Sequence, residues 1–527
     1  MEKEYLVTVK DPADFDQLHA ELIEDRTRGH FLAQKLNGVD ISIPNIPDRP
    51  VELINYRPGS LRTAHYSLTD DEAVELAADP RVLSVDLHIK HRENVKFGIL
   101  DTQRSLFDKS YTTNALFKNW GLKSCTSAAD PFTNKTQLDS IYPYSLSGKN
   151  VDIVIVDSGV TADHPEFAVN ADGTGGSRVK QLDWYLVTGL PGTMPENHDV
   201  DDDGHGTHVA GIAAGNTCGW ARQANIYSIK AITDWGIPAI DVYDVFDLIR
   251  VWHTNKPINP ETGKKNPTIV NCSWGFYSLT VGNVTEFNWK GQVHSSTNFT
   301  TTQRAAFGLV NSNPVYGGNV HGFRVPSIDA EIQDCLDAGV IIVGAAGNYS
   351  HKIDVPGGVD YDNTYTDLYG ATYYHRGMTP TSTPGVICVG NIDTTYPEQK
   401  SYSSECGPRV DVWAPGTYIM SAYTSGVSDT RNDQYFLAKL TGTSMASPQV
   451  AGALALVLQM KPWLNHNQAL ALLNSIAIDN RVNSPGAVSY TNRRSLQDAQ
   501  NKFLFMPYTA NSTGVTVTST LTTNFTL

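Results

Sequence analysis

Apolar and polar positions along the first 95 residues alternate in two different periods. Tyr5 to Val9 (YLVTV) is a short apolar run and predicts a strand, whereas Asp14 to Ile23 repeats apolar residues at helical spacing. Val51 to Asn55 and His65 to Leu68 again read as strands. Thr69 with Glu72 three residues on is a capping-box signature, so a helix is predicted over Asp70 to Ala78, stopped at Asp79-Pro80 because the residue before proline avoids helical geometry. Val82 to Ile89 is the last strand. This order of strand, helix, strands, helix, strand is that of a small α+β, ferredoxin-like domain over residues 1–95.

Residues 96–149 are a connector rich in Pro, Ser, Thr and Asn. From 150 onward the pattern changes to continuous apolar runs at Val151 to Val156, Ile226 to Ile232, Thr268 to Asn271, Val340 to Val343 and Val386 to Val389. Helical patterns such as Asp241 to His253 and Ile328 to Ala338 lie between them. Strands that are apolar on both faces, alternating with helices, predict an α/β fold with a mostly parallel sheet flanked by helices. A polar stretch at about 276–325 reads as an insertion in a domain spanning 96–505, and residues 506–527 as a Thr/Ser-rich C-terminal tail.

The length of 527 residues allows three or four average domains, or two larger units and a tail. A net charge of −15 argues against nucleic-acid binding and against adhesion to anionic membranes, both of which need a basic face. No run of 18 apolar residues is present, so no membrane span is expected. The opening MEKEYLVTVKDPADFDQ has no apolar core before a small-residue cleavage site, so no signal peptide is expected and the compartment stays open. The six cysteines have neither metal-ligand spacing nor the density of a disulfide scaffold, and are expected to be buried thiols.

Three segments carry candidate chemistry. In VIVDSGVTADHPEF, Asp157 closes a buried strand, at the carboxyl edge where parallel sheets hold their ligands; capping the turn would suit an aspartate equally. In DDDGHGTHVAGIAAG, His205 lies between glycines at a turn, and His208, one helical turn further, reads as structural. The acidic residues Asp199, Asp201, Asp202 and Asp203 read as a solvated loop, because calcium-loop spacing is absent. In LTGTSMASPQVAGALALVLQMKP, Ser444 sits at a helix start, where it could be a cap or could stand beside N–H groups suited to a developing oxyanion.

DSG, HGTHVAG and GTSMASP, in this order, resemble the three signatures of the subtilisin family of serine peptidases. The resemblance implies a subtilisin-like fold and an Asp157–His205–Ser444 triad hydrolysing peptide bonds through an acyl-enzyme. Ser444 would attack, His205 would take and return the proton, and Asp157 would hold the imidazole tautomer. By the same resemblance Asn348, in VGAAGN, is the oxyanion-hole donor, and Ser273, Trp274 and Gly275 form the segment that pairs with an extended polypeptide substrate. No cofactor is required for that chemistry. Structural calcium is common in the family, but no ligand set is evident, and no metal-ligating residue is assigned. Residues 1–95 resemble the family's inhibitory propeptide in element order, which implies inhibition in cis. The alternative is a catalytically silent binding or structural protein on the same scaffold.

Overall fold

A computed structural model describes residues 2–23, 45–92, 95–98, 120–128, 130, 146–233, 239–310, 318–484 and 492–506. The N-terminal unit contains β1 (Lys3–Val9), α1 (Phe15–Ile23), β2 (Glu52–Asn55), β3 (Thr63–Leu68), α2 (Asp70–Leu76) and β4 (Val82–Leu87). Its sheet has the order β2-β3-β1-β4, antiparallel throughout, which is the ferredoxin-like arrangement expected from the strand and helix order. The capping box at Thr69 and Glu72 forms as the spacing predicts. Phe15, Leu18, Leu22, Tyr66 and Leu76 fill a core of the unit's own.

Beyond it lie β5 (Val95–Gly98), α3 (Trp120–Thr126), β6 (Asp152–Asp157), β7 (Val179–Lys180), α4 (Trp184–Thr188), α5 (His205–Ala214), β8 (Asn225–Lys230) and α6 (Val245–Asn255). They are followed by β9 (Thr268–Cys272), β10 (Gly275–Leu279), β11 (Glu286–Trp289), β12 (Gln292–Ser295), α7 (Thr301–Ala306), β13 (Val320–Gly322), α8 (Pro326–Asp337) and β14 (Ile341–Ala345). The remainder comprises β15 (Thr364–Asp367), β16 (Gly370–Tyr373), β17 (Ile387–Ile392), β18 (Val412–Pro415), β19 (Ile419–Tyr423), β20 (Val427–Asp429), β21 (Asn432–Leu440), α9 (Thr443–Met460), α10 (His466–Ile476), β22 (Ile478–Asp479) and β23 (Lys502–Phe503).

The central sheet runs β22-β23-β18-β17-β14-β9-β6-β8-β7 and is parallel except where β22 meets β23. From β6 the chain builds outward first through β8 and then, on the opposite side, through β9. The carboxyl end of β6 is therefore the switch point at which such sheets open a crevice. α5 and α9 cover one face and α4, α6 and α8 the other, each with its own apolar core. α9 is apolar on nearly all sides, as a helix buried all round must be. It lies close against α5: a Cβ at Gly452 would stand 2.5 Å from the Ala213 carbonyl oxygen.

The described residues of the 276–325 stretch include regular strands and a helix. β11 and β12 pair with β15 and β16 in a four-stranded sheet, and Val284, Phe287, Phe299 and Leu309 pack with Tyr365 and Tyr374 in a satellite core. The six cysteines are free and buried. The tail expected at 506–527 lies, from 507 on, outside the described residues. Among the described residues no helix is long and apolar enough to cross a membrane.

The N-terminal unit docks on α6 and α8 through charge as well as apolar contact. Leu6 joins the core beneath those helices. Buried Arg57 donates to Asp247 Oδ2 at 2.7 Å and stands 3.5 Å from Glu331, and the Ser60 hydroxyl donates to Glu331 at 2.5 Å. Asp86 accepts the Ser327 N–H at 2.9 Å, capping the start of α8. β5 leaves this unit and pairs antiparallel with β10, Gly98 opposite Gly275 and Val95 opposite Ser278.

Candidate active site

Asp157 ends β6 because the VDIVIV run stops at a Ser-Gly turn, which puts the carboxylate at the switch point. His205 opens α5, and its Nδ1 donates to Asp157 Oδ1 at 2.8 Å with both side chains buried. Three side chains satisfy the first N–H groups of this helix. Asp203 accepts from His205 N at 3.1 Å, Ser158 Oγ from Gly206 N at 2.9 Å, and Asp201 from Thr207 N at 2.8 Å. Helix starts leave these donors orphaned unless something caps them, so α5 is firmly seated where it carries His205.

Asp201 is thus not part of a solvated acidic loop, as the sequence suggests. It is buried, accepts also from Ser158 Oγ and Gly204 N, both at 2.8 Å, and burial pushes its pKa up. Asp202 pairs with the buried Lys230 ammonium at 2.5 Å. Asp201 and Asp202 are therefore engaged by protein donors. His208 is structural: it is buried, its Nε2 meets the Ala438 carbonyl at 3.1 Å, and desolvation lowers its pKa to about 3.

Ser444 lies in the first turn of α9, which packs on α5, β6 and β9. Its hydroxyl donates to the Ser273 carbonyl at 3.1 Å, and the Ser273 hydroxyl donates to the Ser444 carbonyl at 2.8 Å. The segment after β9 is therefore tied to the serine turn. Trp274 turns its indole inward, packs against Phe246 and Phe276, and donates Nε1–H to the Val156 carbonyl at 2.8 Å. Its side chain is fully buried. Gly275 begins β10, whose edge β5 covers.

Asn348 follows β14 across Gly347, whose φ of +116° suits glycine. Its Oδ1 accepts from Thr443 N at 2.9 Å and from Thr443 Oγ1 at 3.0 Å. Holding the amide oxygen there turns Nδ2 toward Gly442. A Cβ at position 442 would come 3.2 Å from Asn348 Nδ2 and 3.6 Å from Ser444 N, so the missing side chain leaves room between two N–H donors. Donors aimed into such a space stabilise an oxyanion formed there.

The chain belongs to the subtilase family, whose model matches residues 148–505. It is a subtilisin-like serine endopeptidase, a hydrolase acting on peptide bonds, and catalysis in this family needs no cofactor. A subtilisin-like protease of Coccidioides posadasii is 25% identical over 395 residues, covering 75% of this chain and 72% of that one. The alkaline proteinase of Hapsidospora chrysogena is 24% identical over 489 residues, covering 92% and 89%. Among solved structures, a cold adapted subtilisin-like serine proteinase is 24% identical, with a TM-score of 0.45, covering 73% of this chain and 97% of that one. Fervidolysin from Fervidobacterium pennivorans, a keratinolytic enzyme, is 17% identical, with a TM-score of 0.48, covering 95% and 60%.

Sequence reasoning missed several residues around this site. Thr443 donates twice to Asn348 Oδ1, and nothing in the local pattern marks it. Glu405 lies under Gly347, accepts the Tyr349 N–H at 3.3 Å, and is held well above the usual carboxyl range by burial. No local pattern marks Glu405, because its partners are about 55 positions away. The strand β5 is also missed, because its partner β10 lies about 180 residues further on.

Proposed function

We propose that this endopeptidase works through an acyl-enzyme on Ser444, with His205 as general base and acid, Asp157 as the group that orients and stabilises the imidazolium, and Asn348 as oxyanion donor. The observation that carries the reading is the buried 2.8 Å bond from His205 to Asp157, at the switch point against which the Ser444 helix packs. In the first step Ser444 Oγ bonds to the scissile carbonyl carbon while its proton passes to His205 Nε2. The carbonyl π pair moves to oxygen, where Asn348 Nδ2–H and Ser444 N–H stabilise it. Collapse expels the amine, which leaves with the proton from His205. Water then repeats the sequence on the ester and frees Ser444. An organophosphonate should label Ser444, and Ser444→Ala should abolish labelling and peptide cleavage together. Labelling that survives the substitution rejects the assignment.

The substrate is an extended polypeptide, and we propose that it adds a strand along Ser273 to Gly275. The antiparallel pairing of β5 with β10 supports inhibition in cis, since the strand that follows the N-terminal unit covers the edge that such a substrate would use. On this reading the chain cuts itself after position 98 and before α3. Mass spectrometry of the incubated protein should then find a new N-terminus within 99–119, absent in Ser444→Ala, with activity rising as it appears. An active protein that keeps its N-terminal unit intact would reject this second step.

A further inference from the structure

The face that the N-terminal unit turns toward the catalytic body carries chemistry that peptide hydrolysis does not use. Glu4 on β1, His65 on β3 and His88 just after β4 converge there, with one potential ligand atom from each lying within 4.8 Å of the others. Glu4 and His65 are buried, and His88 is half-buried. His65 Nδ1 meets Glu4 Oε1 at 2.5 Å, while its Nε2 is buried with no hydrogen-bond partner. The two imidazole rings are 5.7 Å apart, and Tyr243 of the catalytic body packs against both, at 5.8 Å and 4.9 Å. His91 Nε2 accepts the Glu4 N–H at 3.3 Å from the side.

We propose that Glu4, His65 and His88 form a binding site for a divalent transition ion of the Zn²⁺ class, closed over by Tyr243. Two imidazoles and a carboxylate are the borderline donor set that selects Zn²⁺ over Ca²⁺ or Mg²⁺, which prefer all-oxygen shells. Two of the ligands stand on the adjacent strands β1 and β3 and the third directly follows β4, which pairs with β1, a rigid support for such a set. Glu4 Oε2 is held by the Lys90 ammonium. That side chain is 54% exposed, so it can swing into solvent and yield the carboxylate to a better cation. Arg57, the neighbouring guanidinium, is already held by Asp247 and Glu331.

The test uses the full chain carrying Ser444→Ala, so that the N-terminal unit stays attached whatever the wild-type protein does. Titration with ZnCl₂ should show one equivalent bound, and Co²⁺ should give the visible absorption of a four-coordinate N,O site. His65→Ala and His88→Ala should each weaken binding by more than about tenfold. Lys90→Met should tighten it, because it removes the competing cation; a merely local packing role for these residues gives no such gain. Lys90 is exposed and His88 only half-buried, so the test stands on these two positions even if His65→Ala fails to fold. The proposal falls if the chain takes up no equivalent of Zn²⁺. It falls equally if folded His88→Ala binds as the parent does, or if Lys90→Met binds more weakly.

Discussion

A methyl group at position 206 would lie 2.0 Å from the Gly159 carbonyl oxygen and 3.1 Å from Asp157 Cβ. Neither neighbour is the end of a flexible side chain, so the start of α5 would have to move, and His205 with it. Gly206→Ala should therefore lower kcat/KM on a peptide substrate by about a hundredfold, the cost of a misplacement near one ångström. A thermal melt should meanwhile show a folded protein. Thr443 offers a gentler probe. Its hydroxyl donates to Asn348 Oδ1 at 3.0 Å and accepts the Gly347 N–H at 3.1 Å, and Thr443→Val keeps the shape while deleting both bonds. If Thr443 acts by orienting the oxyanion donor, kcat falls and KM stays. Removing the donor itself costs about 10²–10³ in kcat, a range measured in this family, so Thr443→Val should cost less than Asn348→Ala. A change confined to KM would refute the orienting role.

At the scale of elements, α5 is held by its cap. Asp201→Ala would strip acceptors from Thr207 N, Gly204 N and the Ser158 hydroxyl at once. Each buried donor left without a partner costs about 1–3 kcal/mol, so a loss of about 3 kcal/mol or more is expected in denaturant unfolding, with Asp201→Asn intermediate because one oxygen remains. Asp201 also shows where the sequence stops being legible. Four aspartates within five positions look like a solvated run, because burial depends on what α5 and the Ser158 turn bring to them and not on local composition. The elements that could be read are those whose signal is local: the capping box at Thr69, the apolar runs of β6, β9, β14 and β17, and the helix α8. The motifs around Asp157, His205, Ser444 and Asn348 are readable for the same reason, since each is a contiguous stretch with its own turn chemistry. The satellite sheet of β11, β12, β15 and β16 was hidden. Its strands are only four residues long, and partners about 80 positions apart supply the core that makes them strands. β5 and the orienting contacts of Thr443 and Glu405 are hidden likewise, because they exist only once distant segments are packed.

For the molecule as a whole, pH acts through groups that folding removes from water. His321 Nδ1 donates to the Gly322 carbonyl at 2.9 Å and its Nε2 meets the Tyr365 hydroxyl at 2.9 Å, with His351 and His375 beside it and, among the described residues, no carboxylate bonded to the ring. Burial lowers its pKa to about 4, as it does for His375, and takes His351 well below the ordinary imidazole value. The charged groups facing the trio are Lys352, Asp354 and Asp360, which act on His375 in opposite directions. Between about pH 6.5 and 4 the unfolded chain binds a proton at position 321 and the folded chain does not, so stability falls as pH falls through this window. Below about 4 both states are protonated and this loss stops growing. Buried carboxyls work the other way: Glu405 and Asp247, pushed well above the carboxylate range by desolvation, are protonated in the folded chain first, so acidification favours the fold through them. The overall slope of stability with pH is a difference between these opposing sets, and a single melting curve in acid does not separate them. Comparison with His321→Gln does, because the carboxyl contributions cancel. The variant's unfolding free energy should depend less steeply on pH between 6.5 and 4, by up to about 1.4 kcal/mol per pH unit, the slope of one proton. Above pH 7 the two slopes should coincide. Parallel curves across the acid window would mean that His321 is protonated in the folded protein, and that the pocket it shares with His351 and His375 is wetter than its burial implies.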